Sequence, residues 1–536
     1  DGGRNTAVGY AALSTEDENG QNTAIGYRAL TTLNAGAEGY NVAVGNDAGL
    51  SVTTGVRNTI MGAFAGDALT DADYNVALGY AALTGDTQGS QSTAVGYEAL
   101  LTQNFSTATN TFNTAVGYRA GTAVTTGVNN TLIGATAGDA FTDADANTAI
   151  GAYALTADTM GSQSTAVGHG SLAHQNFTTA TAANNTAIGY IAGNLITTGI
   201  NNTFVGSGAG DTTTTANQNV AVGKDAFTSN VAGAKNVAIG TAAMANFNVT
   251  ATDSLNTCVG DHAGSAMTTG VFNVCVGGNA GDALTDADAN IAIGRHALGA
   301  DTLGSGSIAI GDSSLFTQNY ATGTAAFNVA LGHSAGYSIS TGVYNISVGA
   351  RANATSTPTT TGNYNIIIGV DGRPSAGSGG HQICIGNEVT GTADNTFNFG
   401  KASNIVSNTY TSNASFSRSS DVNKKTNIED DTLGLDFIND LRTVTFNWRP
   451  NSEFPEHYKD YHPTKNDMET DIKLHGMVAQ EVKAALDKAG VDTFGGWSEE
   501  EDGSQRISQE MFIHPLIRAV QELSNEVKQL KEKLNG

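Results

Sequence analysis

Short apolar runs fenced by Asn and Gly recur along most of this chain at a nearly fixed interval. The commonest phrase is Asn-x-Ala-Val/Ile-Gly. It stands at Asn5 to Gly9, Asn22 to Gly26, Asn41 to Gly45, Asn58 to Gly62 and Asn75 to Gly79, and continues with substitutions to Gln382-Ile383-Cys384-Ile385-Gly386. There are 22 copies, mostly 17 residues apart. A polar head, an alternating apolar segment and a glycine at constant period predict one short strand and one bend per coil. Stacked, such coils form an all-β repeat shaft, a parallel β-solenoid or β-roll. The Val, Ile or Leu before Gly is expected to fill one buried face, and the Ala before it to permit close approach on the other. Asn at the head is expected to pair with its counterpart one rung away, as in stacked amide ladders. Rungs ~4.8 Å apart predict a shaft on the order of 100 Å long.

A longer period lies above this one. Asn41, Asn113, Asn185, Asn256 and Asn328 head successive quartets, spaced 72, 72, 71 and 72 residues. Thr-Thr-Gly-Val or a close variant precedes the second phrase of each quartet, Thr-Asp-Ala-Asp many third ones, and Gln-Asn-Phe follows several fourth ones. Duplication of a four-coil block explains this more simply than independent insertions.

Composition changes the picture at one place. Residues 1–400 hold 9 Lys+Arg and 27 Asp+Glu, whereas residues 401–536 hold 16 and 23 together with both Trp. The chain therefore divides into a sparsely charged shaft over 1–400, a junction over 401–416 and a second module over 417–536. A tract rich in Gly, Ala, Thr and Asn suits disorder, but a disordered tract needs no aligned Val or Ile in every coil. Such a thin coil buries little by itself, so partner chains are expected to share the core. A net charge of −25 argues against a nucleic-acid-binding face, which needs a basic stripe. No run approaches the ~18 apolar residues of a membrane span. No secretion signal is visible and the chain opens at Asp1 without Met, as a processed or truncated piece does.

Cys258, Cys275 and Cys384 all occupy the Ala position of the phrase. In adjacent rungs, Cys258 and Cys275 would hold their Cβ atoms farther apart than a relaxed disulfide prefers. They read as small buried hydrophobes, neither a redox pair nor a zinc site.

Other constellations are weaker. Asp67, Asp71 and Asp73 recur as Asp139, Asp143, Asp145 and as Asp282, Asp286, Asp288, each within Gly-Asp-Ala-x-Thr-Asp-Ala-Asp. Clustered carboxylates could hold Ca2+, which takes six to eight oxygens, but the spacing is that of neither known calcium loop. Solvated acidic corners are the default, and no other cofactor is expected. Tyr follows the phrase's Gly at Tyr10, Tyr27, Tyr80, Tyr97, Tyr118 and Tyr190, which suggests stacking at a corner. A glycan-cleaving spike needs two carboxylates beside a sugar cleft, and the serial acids with no Trp in 1–400 disfavour it.

The repeat phrase resembles the head repeats of trimeric autotransporter adhesins, which form left-handed parallel β-rolls in three-chain bundles. The likeness covers 1–400, with longer rungs here and without that family's membrane-anchoring barrel.

From Ser417 the texture changes to Ser-Arg-Ser-Ser-Asp-Val-Asn-Lys-Lys-Thr-Asn-Ile. Val444-Thr445-Phe446-Asn447-Trp448, then His475-Gly476-Met477-Val478-Ala479-Gln480-Glu481-Val482, and Pro515 to Leu523 running into a helix complete the set. This ordered series resembles the autoproteolytic intramolecular chaperone domain, of endosialidase type, that ends bacteriophage tail spikes and fibres. The resemblance implies a small α+β domain over 417–536 and a homotrimer. It also implies self-cleavage between Ser419 and Ser420 by a dyad of Ser420 and Lys425, without activity in trans. Serine is a weak nucleophile until a base takes its proton, and a desolvated lysine can be that base. Asp421, His475, Gln480 and Glu481 are expected in supporting roles, the last three in packing and orientation.

The final helix carries Leu516, Val520, Leu523, Val527, Leu530 and Leu534 at spacings of 4, 3, 4, 3 and 4, a heptad seam predicting a coiled coil over 514–535. Val against Leu leans towards two strands in isolation, whereas both resemblances imply three. Together they imply a structural, receptor-binding phage tail fibre or spike, located in the virion and made in the host cytoplasm. Its partners would be itself, upstream tail components and a host receptor, a glycan or an outer-membrane protein. Two alternatives stand beside it: a trimeric surface adhesin of non-phage origin using the same assembly module, and a polysaccharide-degrading tailspike.

Overall fold

The computed structural model describes residues 3–535 apart from 18–19, 37, 251–252, 355–360, 412–416, 419, 465, 467 and 469. The chain divides into two compact units, Asp1–Ser419 and Ser420–Gly536.

The first unit is a parallel β-solenoid of about 23 turns. Each phrase forms a three-residue strand, from Thr6–Val8 and Thr23–Ile25 to Ile383–Ile385. Each pairs in register with the next, so that Thr6, Ala7 and Val8 face Thr23, Ala24 and Ile25. Thr396–Lys401 completes the ladder against Ile383–Ile385 and then turns back, antiparallel, as Asn404–Thr409. The join thus begins with a hairpin strand.

The expected facing of the phrase's apolar residues is reversed. Ala24, Ala43 and Ala77 are fully buried, while Ile25, Met61, Ile188 and Leu331 keep between 38% and 47% of their surface exposed. Ala is the commonest inward residue, and Ile60, Leu132 and Phe204 are fully buried at the same position in other rungs. Bulk comes from the opposite wall at one of two places: Leu83 and Leu100 four residues after the phrase's Gly, or Val52 and Leu69 seven residues after it. Where bulk comes later, the earlier position is Gly49 or Gly66, and a Cβ on Gly49 would lie 2.9 Å from Leu30 Cδ2. In the first quartet the later place fills rungs one and two and the earlier place rungs three and four, which accounts for part of its decoration.

The head Asn residues form the expected ladder inside the coil. Asn58 N–H donates to Asn41 Oδ1 at 2.9 Å, and Asn75 N–H to Asn58 Oδ1 at 2.9 Å. The same Asn58 donates its Nδ2 to the Ala72 carbonyl at 2.7 Å. The head amides thereby find partners inside the coil, as a low-dielectric interior demands.

The second unit is a small α+β domain. Helices α1 (Leu435–Asp440), α2 (Ala479–Lys488) and α3 (Ile513–Asn535) accompany two hairpins. One hairpin pairs Val444–Phe446 with Leu474–Gly476, the other Trp497–Glu499 with Gln505–Ile507. Leu433, Phe437, Val482, Ala485, Leu486 and Phe512 form its core. Glu522 on α3 accepts from the Leu435 N–H at 2.7 Å and from Arg518 Nε at 2.8 Å. The Leu435 N–H and that guanidinium hold the Glu522 carboxyl below its ordinary range.

Candidate functional site

Ser420 and Lys425 sit at opposite ends of one tight turn. Asp421 caps the 3-10 turn Val422–Lys424 by accepting the Asn423 N–H at 2.8 Å, and Lys425 N–H closes the turn on the Val422 carbonyl. The Asn423 N–H also holds the Asp421 carboxyl below its usual range. The turn folds Lys425 back so that its Nζ donates to Ser420 Oγ at 2.6 Å. That is the reach a proton-accepting base needs. Both side chains are exposed in the single chain. Ser419 lies outside the described residues.

The other residues singled out from the sequence gather elsewhere in the domain. His475 pairs across the hairpin with Thr445 and lines a cavity of about 630 Å³ with Met477 and Gln509. Gln480, at the start of α2, borders a neighbouring groove of about 720 Å³ that includes Trp448, Arg449 and Arg506. Glu481 is held by Arg442, whose Nε lies 3.0 Å away, and that hydrogen bond lowers the carboxyl's pKa. Neither Ser420 nor Lys425 borders these cavities. On α3 the seam residues Leu516, Val520, Leu523, Val527, Leu530 and Leu534 are all exposed, while Pro515 and Ala519 turn inward.

The repeated acids of the shaft are engaged separately. Asp73 accepts the Val56 N–H at 2.7 Å, Asp71 the Thr54 hydroxyl and Asp67 the Thr84 hydroxyl. Asp145 and Asp288 repeat the first contact with Val128 and Val271. Asp143 and Asp286 repeat the second with Thr126 and Thr269, and Asp139 accepts from Thr156. Asp282 accepts from Asn279. Among the described residues no group of three or more His, Cys, Asp or Glu is placed to hold a metal ion.

The cysteines are free and buried. The neighbouring Cys275 and burial push the Cys258 thiol well up, and burial pushes Cys384 up to about 12. Tyr80, Tyr97 and Tyr118 stack at 5.3 and 5.4 Å. A second ladder, at the residue before the head Asn, runs Phe327, Tyr344, Tyr364 and His381.

A buried polar network escaped the sequence reading. Where Ser92 replaces the head Asn, Gln103 Nε2 donates to Ser92 Oγ at 2.8 Å and to Asp86 at 2.6 Å, and its Oε1 accepts from Asn113. Asp158, Ser164, Gln175 and Asn185 repeat this, as do Asp301, Ser307, Gln318 and Asn328. Burial raises the pKa of Asp86, Asp158 and Asp301. The co-occurrence of Ser at the head position with the later Gln-Asn-Phe or Gln-Asn-Tyr was the available signal.

No helix among the described residues is long and apolar enough to cross a membrane. No curated protein and no solved structure matches the chain. Residues 420–491, which begin at Ser420 and take in Lys425, His475, Gln480 and Glu481, match the family described as the chaperone of endosialidase, so the carboxy-terminal segment is identified as a chaperone domain of that kind.

Proposed function

We propose that this chain is the shaft of a homotrimeric bacteriophage tail fibre or spike, whose carboxy-terminal domain gathers three copies and then cuts itself away. One observation carries the reading. The outward residue before the phrase's Gly is apolar in every rung from Val8 to Ile385, and among the described residues each keeps part of its surface exposed in the single chain. A strip about 100 Å long and about 10 Å wide offers on the order of 1,000 Å², beyond the ~800 Å² per partner of a standard stable interface. Copies of one chain carry the same rungs at the same heights, so parallel copies bring like columns together. The uncovered heptad of α3 supports gathering at the carboxy-terminal end, and α3 follows the segment that matches the chaperone family.

The cleavage chemistry follows from the dyad. Lys425 in its neutral form takes the proton of Ser420 Oγ, which attacks the carbonyl carbon of Ser419. The proton passes to the Ser420 nitrogen as the peptide bond breaks, leaving an ester that water hydrolyses. Removal from water favours a neutral lysine, and in the single chain Lys425 is exposed, so closure by neighbouring copies would prepare the base. A host glycan or outer-membrane protein as receptor, and upstream tail components as attachment, complete the proposal, with the virion as its location.

Mass spectrometry and sedimentation of wild type against Ser420→Ala test both halves. The expected result is a trimer in each case, with residues 420–536 released only in wild type. A wild-type mass that always retains them removes the cleavage step, and a soluble β-rich monomer removes the trimeric shaft.

A further inference from the structure

The strand's outer face carries two columns, because residues one and three of each strand point the same way while residue two points inward. The third column is apolar throughout, but the first is not. It is Thr in seven consecutive rungs, at Thr93, Thr114, Thr131, Thr148, Thr165, Thr186 and Thr203. It is apolar in eight consecutive rungs from Val274, through Ile291, Ile308, Val329 and Ile346, to Phe397. The register carries both columns unbroken into the last rung, where Ile383 and Ile385 face Phe397 and Phe399.

Resting on the trimeric reading above, we propose that the seam between copies is graded: a tight clamp over residues 274–399 and a looser stretch over 93–205, so that three copies close from the carboxy-terminal end. Two apolar columns remove about twice the apolar side-chain surface per rung that one removes. A Thr hydroxyl buried against a partner must also find a hydrogen bond or lose stability. Ile346, in the first column, keeps 36% exposure in the single chain, as much as Ile150 keeps in the third, so the rungs of 274–399 offer a second copy two apolar columns where those of 93–205 offer one. Register is the weak point of a uniform repeat, since a slip of one rung costs little locally. A seam that is strongest at one end holds the register fixed there before the weaker rungs meet. The clamp lies at the end of the shaft that leads into the chaperone segment, and the loose stretch lies farther along the chain.

The occupant is a second copy of this chain. Matched triple variants of the full chain test the gradient. Ile291→Thr/Ile308→Thr/Ile366→Thr weakens the clamp, and Thr114→Ile/Thr131→Ile/Thr148→Ile strengthens the loose stretch. The coil accepts both sets, because each residue type already occupies this position in other rungs of the same solenoid. Sedimentation reads assembly, and hydrogen exchange reads each stretch. In wild type, amides of 274–385 are expected to exchange about tenfold or more slowly than those of 93–205. The clamp variant is expected to lose trimer, and the Thr→Ile variant to gain protection in its own stretch. Equal protection in the two stretches, or a clamp variant as trimeric as wild type, would overturn the gradient while leaving a trimeric wild type intact. A monomeric wild type would remove the trimer itself. Outer columns that exchange as fast in the trimer as in an isolated chain would mean that another occupant is needed to cover them.

Discussion

Gln103 donates its amide to the Asp86 carboxylate one coil earlier, at 2.6 Å, and both side chains are fully buried. This contact mends a break in the Asn ladder, for Ser92 is too short to do what Asn does in most other rungs. The third quartet makes the complementary choice. There Asn236 keeps the ladder, Asn230 stands where Asp86 does, and Phe247 stands where Gln103 does, stacked on Phe227 at 5.8 Å. Asp86→Asn alone is expected to destabilise the shaft by about 1–3 kcal/mol, because either orientation of Gln103 then leaves one buried donor unpaired. The set Asp86→Asn/Ser92→Asn/Gln103→Phe/Phe105→Val is expected to return to within ~1 kcal/mol of wild type. Non-additivity in thermal unfolding measures the coupling.

Asp86, Asp158 and Asp301 also give the shaft a pH dependence. Burial, the main cause, raises each folded-state pKa above its unfolded value. Their stabilising contribution is therefore complete below the unfolded carboxyl pKa and is lost as pH rises through the folded one. Asp47, Asp312 and Asp371, lowered chiefly by their Arg partners, act in the opposite sense. The comparison is thus between wild type and a variant with all three networks exchanged for the Asn, Asn and aromatic set. The stability difference is expected to move against wild type as pH rises from about 4 towards neutrality. A pH-independent difference in melting temperature would refute this.

The period, the Asn ladder and the heptad were all legible because each is a property of residue spacing along one chain. The facing of the phrase was not. Alternation says that Ala24 and Ile25 point to opposite sides, but it does not say which side is interior. That is decided by how the coil closes, and the second position turns inward whether it holds Ala24, Leu132 or Phe204. The Gln103 network was hidden for another reason: its members are 17 and 11 residues apart and meet only after stacking. Ser420 and Lys425 were named through a resemblance, because two such residues five apart have no force until a turn such as Val422–Lys424 brings them together.

The phrase's Gly is a packing requirement as well as a bend. A Cβ on Gly134, where φ is +137°, would lie 2.6 Å from the carbonyl carbon of Gly151 in the next rung. Gly134→Ala is expected to cost about 3 kcal/mol or more, from backbone strain and the displacement of a neighbouring rung. Gly278→Ala is the control, since a Cβ there meets nothing within 4 Å, and its effect is expected within about 0.5 kcal/mol. Equal losses of thermal stability would contradict the close-stacked glycine column.

Lys425 and Lys424 are adjacent, and only Lys425 reaches Ser420 Oγ. If the contact is that of a base, charge alone will not preserve it, because arginine stays protonated and cannot accept the serine proton. Lys425→Arg is expected to slow release of residues 420–536 by about 100-fold or more while leaving the circular dichroism of the chain unchanged. Lys424→Arg is expected to cleave at the wild-type rate, its backbone N–H still closing on the Asp421 carbonyl. Equal slowing by both substitutions would point to general positive charge near the scissile bond. Slowing by Lys424→Arg alone would move the base to the neighbouring residue and break the link between this turn and the chemistry.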